Sequence, residues 1–179
     1  MNKIIEFGDW QAEDKVLSLG CGSGWWEVNL MYQKPALELI LVDELSAVLN
    51  QADFQETIAY FGNQYGQRLE TACQLALCDA AATGLAQDSI DQVWLFNSLH
   101  EMEDHLAILA ESHRVLQSEG IVIVEEIFAK FSGELHEGCG KALFDKHTLF
   151  ALFEQAGFVF LEETKKDAIA TYLKFQKEI

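Results

Sequence analysis

Short apolar runs without polar alternation recur along this chain, and each stops at a polar or glycine residue. Val16-Leu17-Ser18-Leu19 runs into glycines, Leu39–Val42 stops at Asp43 and Leu75–Cys78 at Asp79. Val93–Phe96 stops at Asn97 and Ile121–Val124 at Glu125. A strand with one wet face alternates apolar and polar residues. An unbroken run reads as a strand buried on both faces, as in a parallel sheet covered by helices. Helical spacing fills the gaps: Trp25–Met31; Phe54, Ile58, Phe61 and Tyr65; Leu99 through Leu116; and Leu149 to Ala156 behind an N-cap at Asp145 and ahead of a stop at Gly157. Strand alternating with helix predicts an α/β fold with helices on both faces of a parallel sheet. The end of the chain breaks that rhythm. Phe158–Leu161 and Ala168–Phe175 are separated by only Glu162–Asp167, too short for a crossover helix, so an antiparallel hairpin is expected.

The length of 179 residues, with one proline, no linker-like stretch and no repeat, suits one domain over residues 1–179. Twelve basic residues against 29 acidic ones leave a net charge of −17. Such a chain lacks the basic surface that displaces counterions from nucleic acid or docks on anionic lipid, so neither partner is expected. Cys21, Cys73, Cys78 and Cys139 form no CxxC pair and no zinc-ligand spacing, so reduced thiols and no metal are expected. The first ten residues hold no signal-peptide core, and no apolar stretch reaches the ~20 residues of a membrane span. A cytoplasmic location is the expectation.

Gly20-Cys21-Gly22-Ser23-Gly24 lies between a strand and a helix, where a glycine turn lets a ligand approach the backbone. Asp43 ends the next strand 23 residues after Gly20, where a carboxylate can accept hydrogen bonds from both ribose hydroxyls. A nicotinamide-dinucleotide fingerprint GxGxxG would require a small residue at position 25, which is Trp25. The pattern is GxGxG.

VLSLGCGSG at 16–24, Asp43, the Cys78-Asp79-Ala80 step and the terminal hairpin together resemble the class I S-adenosylmethionine-dependent methyltransferases. The segment from Leu99 to Glu126 resembles their small-molecule branch, which includes ubiquinone/menaquinone-biosynthesis-type enzymes. The resemblance covers about residues 14–176. It implies a Rossmann-like, doubly wound, seven-stranded sheet, mostly parallel with an antiparallel terminal hairpin strand. It also implies S-adenosyl-L-methionine as cofactor and a small-molecule methyl acceptor. The backbone of Gly20, Cys21, Gly22 and Gly24 would approach the methionine moiety, Asp43 with Glu44 the ribose, and Asp79 with Ala80 the adenine. Asn97 and Ser98 would line the methyl side. Two positions depart from the family pattern. Ser18 stands where an acid usually precedes the first glycine by two residues, and Gln117-Ser118-Glu119-Gly120 replaces a Lys-Pro-Gly-Gly-like turn. Ser18 keeps a second reading open, a methyltransferase-like module that binds S-adenosyl nucleosides without transferring methyl.

Methyl transfer from a sulfonium is served by alignment and exclusion of water, and needs a protein base only when the acceptor carries a proton. His100, next to the fourth strand end, is the candidate catalytic residue. The glycine-rich segment Phe128–Phe144, with His136, Cys139 and Lys141, is long for a loop in this fold and is expected to cover the acceptor. His105 and His113 are expected at the surface or in packing, and Cys21, Trp25 and Trp26 in packing.

Overall fold

The computed structural model describes residues 3–178. Seven strands form one sheet in the order β3-β2-β1-β4-β5-β7-β6: β1 (Lys15–Leu19), β2 (Glu38–Asp43), β3 (Ala72–Leu77), β4 (Ile90–Phe96), β5 (Leu116–Ile127), β6 (Phe158–Lys165) and β7 (Ala170–Lys177). β3, β2, β1, β4 and β5 run parallel, while β7 inserts antiparallel between β5 and β6. The doubly wound sheet and its terminal hairpin are therefore as the sequence leads one to expect.

The helices are α1 (Lys3–Gly8), α2 (Trp25–Gln33), α3 (Gln51–Tyr65), α4 (His105–Val115) and α5 (Lys146–Gln155). The period of two along each strand divides the core. Leu17, Leu19, Val93 and Leu95 pack with Ile108, Leu109, Leu149 and Phe153 from α4 and α5. Val16, Leu39, Leu41 and Trp94 pack on the other side with Phe7, Val28, Leu30, Phe54 and Phe61 from α1, α2 and α3. Each fully buried leucine- or phenylalanine-sized side chain contributes about 1.5–3 kcal/mol, and both layers need the unbroken apolar runs.

Asn50, Asp104 and Asp145 each accept a hydrogen bond from a backbone N–H three residues on, which starts α3, α4 and α5. The Asp104 cap splits the helix expected over 99–116. Leu99–Glu101 forms a separate 3₁₀ turn, and α4 begins at His105. Leu116 leaves that helix altogether and pairs with Ile90 at the start of β5. The pairing then shifts register across a segment in which Glu119 has φ +64°. Two expectations of burial are corrected. β3 is an edge strand, with Leu77 54% exposed, so its apolar run is not covered on both faces. Trp25 is also largely exposed and stacks at 4.8 Å on Tyr60 and 4.7 Å on Phe61 of α3.

The chain leaves β1 toward β2 and β3, then returns to the opposite side of β1 as β4. The connections after β1 and β4 thus diverge, and a crevice opens between the carboxyl ends of these neighbouring strands.

Candidate cofactor and acceptor site

The glycine turn hangs from β2: the N–H groups of Gly20 and Cys21 both donate to the Val42 carbonyl, at 2.9 and 3.1 Å. Gly20, Gly22 and Gly24 all have positive φ, at +66°, +56° and +71°. Their surroundings differ. A Cβ on Gly20 would lie 2.6 Å from Met102 Cε and 2.8 Å from Ser98 Cβ, and one on Gly24 would lie 2.6 Å from Leu41 Cδ1. A Cβ on Gly22 would meet nothing within 4 Å. The outer glycines permit packing, and the central one leaves open space at the turn. Asp43 ties this turn to the end of β2. Its Oδ2 accepts from the Gly22 N–H at 2.9 Å and its Oδ1 from the Leu45 N–H at 2.9 Å. Each carboxylate oxygen keeps a lone pair for a further donor.

A cavity of about 600 Å³ opens at these strand ends. Gly20, Asp43, Glu44, Asp79, Ala80 and Ser98 line it together with Glu101, Met102, Cys139 and Lys141. Cys21, Gly22, Gly24 and Asn97 are not part of that lining. The first three shape the turn behind it. Asn97 ends β4 in the left-handed region, at φ +53°, with its N–H on the Glu125 carbonyl at 2.8 Å. Asp79 Oδ1 accepts from the Ala81 N–H at 2.8 Å, which holds the carboxylate at the end of β3. Ser98 Oγ donates to the Leu19 carbonyl at 2.9 Å and so latches β4 onto β1 beside Gly20. A larger open groove, about 1030 Å³, runs along α3 and β3 past Thr71, Cys73 and Leu75, away from the glycine turn.

Glu27 supplies an acid that the motif lacks at position 18. Ser18 is fully buried and its hydroxyl donates to Glu27 Oε1 at 2.8 Å. Glu27 itself is 2% exposed, and its Oε2 has no hydrogen-bond partner among the described residues. Burial pushes its carboxyl up to about 7. The Glu125 charge adds to this, while hydrogen bonds from its own N–H and from Ser18 oppose it. Burial, with the charges of Glu27 and Asp43, also drives the Cys21 thiol far above the usual range, so that sulfur is no nucleophile.

His100 does not line the cavity either, although its neighbour Glu101 does; it is 4% exposed and anchored by a fully buried Glu126. Glu126 Oε2 is 2.8 Å from His100 Nδ1, and Oε1 accepts from the His100 backbone N–H at 3.1 Å. Burial disfavours the charged ring. The hydrogen bond and charge of Glu126, with Glu101, outweigh that and hold the pKa above the ordinary histidine value. With Nδ1 facing a carboxylate, the free lone pair falls on Nε2, which is buried and has no hydrogen-bond partner among the described residues. The loop between β5 and α5 closes over this ring: His136 stacks edge-on at 4.8 Å between centroids, with Cys139 Sγ 3.2 Å from His136 Nδ1.

With that geometry in view, the chain matches the family model described as "Methyltransferase domain" over residues 17–124, more than half its length. The chain belongs to the methyltransferase domain family. A malonyl-[acyl-carrier protein] O-methyltransferase from Gallionella capsiferriformans is 28% identical over 154 residues, which cover 80% of this chain and 51% of that protein. The chain thus spans about half the length of that relative. A demethylmenaquinone methyltransferase from Staphylococcus epidermidis is 28% identical over 176 residues, 83% of this chain and 69% of its own. Among solved structures, a SAM-dependent methyltransferase from Methanosarcina mazei superposes with a TM-score of 0.77 at 16% identity, covering 98% of this chain and 97% of its own. The family is thus that of the methyltransferase domain, and the fold is shared with the SAM-dependent methyltransferase from Methanosarcina mazei.

The site of this methyltransferase fits S-adenosylmethionine. Two strand-end carboxylates with lone pairs to spare line a cavity of suitable size, and the open Gly22 and the buried Glu27, with one unpartnered oxygen, belong to the turn and helix behind it. Sequence reasoning missed Glu27 as a member of the site, and placed Glu126 only as a candidate at the end of the fifth strand. Glu27 could have been found, since it precedes Leu30 and Met31 by three and four residues and so shares their buried stripe. Nothing in the sequence pairs Glu126 with His100, because the contact exists only once β4 and β5 lie side by side.

Proposed function

We propose that this methyltransferase moves the sulfonium methyl group of S-adenosylmethionine in line to a small molecule held between the β4 end and the 128–144 loop. The observation that carries the reading is Asp43, whose carboxylate joins the glycine turn and also lines the cavity. Asp43 takes the ribose hydroxyls on its remaining lone pairs, with Glu44 beside it. Asp79 accepts from the adenine amino group, and Ala80 offers its N–H to the ring. Gly20, Cys21, Gly22 and Gly24 bring bare backbone to the methionine moiety, and Glu27 replaces the acid absent at Ser18 as counter-charge for its ammonium. This replacement removes the ground for reading the chain as a binding module without transfer.

When bound, the cofactor supplies an electrophilic methyl carbon, so the protein's task is alignment and exclusion of water. Asn97 and Ser98 carry the β4 end to the methyl side. The loop closes the acceptor's approach. His100, oriented by Glu126 and next to the cavity-lining Glu101, is the candidate base when the acceptor carries a proton. The name of the Staphylococcus relative supports a small acceptor of the quinone kind.

Calorimetric titration with S-adenosylmethionine tests the assignment. Losing a hydrogen bond to a buried ligand group costs about 1–3 kcal/mol, so Asp43→Ala weakens binding about tenfold or more. Asp79→Ala does the same while leaving affinity for the inosine analogue unchanged. Undiminished affinity in Asp43→Ala would overturn the ribose assignment.

A further inference from the structure

We propose that His100, Glu101, His136 and Cys139 form a binding site for a zinc ion that clasps the 128–144 loop onto the end of β4. One donor atom from each of the four residues lies within 4.8 Å of all the others. His100 Nε2 and Glu101 Oε1 are 3.8 Å apart, and His136 Nδ1 and Cys139 Sγ 3.2 Å. Donors on a tetrahedral zinc, at bond lengths of about 2.0–2.3 Å, stand roughly 3.3–3.8 Å from one another, so the cluster needs to contract by only about 1 Å at its widest.

Three further observations point to a cation. His100 Nε2 is buried with no hydrogen-bond partner among the described residues, although the side chain is fully enclosed. A buried lone pair left bare is costly, and an ion between these donors would satisfy it. Glu126 holds the other ring nitrogen at 2.8 Å. A carboxylate behind a histidine is the usual support of a metal-bound imidazole, because it fixes the tautomer and makes the ring a better donor. The loop is also shaped for the task. A bridge between Leu135 and Ala142, with His136 N–H on the Lys141 carbonyl and Gly140 N–H on that of His136, both at 2.8 Å, folds residues 136–141 into a tight turn. That turn sets His136 and Cys139 on the same side. A Cβ on Gly138 would come within 3.2 Å of the His136 ring, so glycine makes room for it.

Two imidazoles, one thiolate and one carboxylate are a borderline-soft set that suits zinc, and the two anionic donors neutralise its charge. The cysteine spacing conceals the site, since one histidine comes from the turn after β4 and the other two loop ligands follow β5. Glu101 and Cys139 also line the cavity, so the ion would join the loop to the cavity wall. Binding exchanges the Cys139 S–H bond for a sulfur–zinc bond, releases the proton to solvent and changes no oxidation state. With zinc on Nε2 the ring has no lone pair left to act as a base, so the metal-bound form leaves methyl transfer to alignment alone; zinc is measured on the protein without cofactor or acceptor.

The test uses metal-stripped full-length protein titrated with zinc, followed by cobalt for its spectrum. One ion per chain binds, and the cobalt form shows a sulfur-to-metal charge-transfer band. Cys139→Ser loses the band, both it and His136→Ala weaken zinc by ~100-fold or more, and Glu126→Gln weakens it ~10–100-fold. Cys73→Ser leaves binding intact. Zinc also protects Lys130 and Lys141 from trypsin in the wild type and not in Cys139→Ser. Zinc binding that is absent, or equally strong in Cys139→Ser, would overturn the site. Failure of S-adenosylmethionine to bind would instead overturn the functional reading and leave this one standing.

Discussion

Glu27 holds a carboxyl group where water cannot reach it, and its consequences are measurable without any ligand. Its pKa rises from the ordinary 4.5 to about 7 on folding, mainly through burial. A carboxyl with a raised pKa binds its proton more tightly in the folded state. Stability therefore falls as pH rises from about 4.5 through 7, and the penalty is complete above that. Replacing Glu27 by glutamine removes this dependence. Relative to Glu27→Gln, the wild type loses on the order of 3 kcal/mol between pH 5 and pH 8. Urea unfolding of both proteins across that range provides the check, and a constant difference would mean that Glu27 is not the buried acid. Bound ammonium would stabilise the charged form, so Glu27→Gln should weaken S-adenosylmethionine most above pH 7.

The glycine turn ranks its three glycines by what surrounds them. Gly24→Ala adds a methyl group 2.6 Å from Leu41 Cδ1, at φ +71°. Strain and overpacking then act together, for a loss of about 2–4 kcal/mol. Gly22→Ala has the same kind of backbone but empty space, so it loses only about 1 kcal/mol while obstructing the cofactor. Thermal unfolding beside cofactor titration separates the two: Gly24→Ala loses stability first, Gly22→Ala affinity first. Equal destabilisation by both would refute the distinction. At this scale much was legible in advance. Runs such as Leu39–Val42 declare a buried strand in one glance, and Asp145 and Gly157 bracket α5 by local chemistry alone. The misreadings share a cause. Leu75–Cys78 looks as buried as the others, but being outermost in the sheet is a property of strand order, which no local pattern contains. Leu116 fits the apolar spacing of α4, yet its pairing with Ile90 takes it into the sheet. Trp25 left the core because α3 offered it aromatic partners on the surface.

Over the whole molecule, the charge of −17 sets the terms on which partners approach. Phosphate backbones are repelled, and no duplex DNA or tRNA should bind at physiological salt. Fluorescence anisotropy with labelled tRNA is the direct measurement, and submicromolar binding would refute it. Cations meet the opposite field, which favours entry of a sulfonium cofactor or a metal ion. No helix among the described residues is long and apolar enough to cross a membrane.

The loop after β5 is closed upon itself: Ala129 N–H donates to the Phe144 carbonyl at 2.9 Å, and Leu135 bridges Ala142 further out. Its two stems are thus held together by their own bonds, independently of what lies at the tip. A segment rooted in this way can be rewritten or grafted from a relative without asking the sheet to fold differently. Two halves of the protein are then free to diverge at separate rates. On the function proposed, the half holding Asp43 and the glycines answers to one fixed cofactor, while the loop around His136 and Cys139 can change its other residues at little cost to folding.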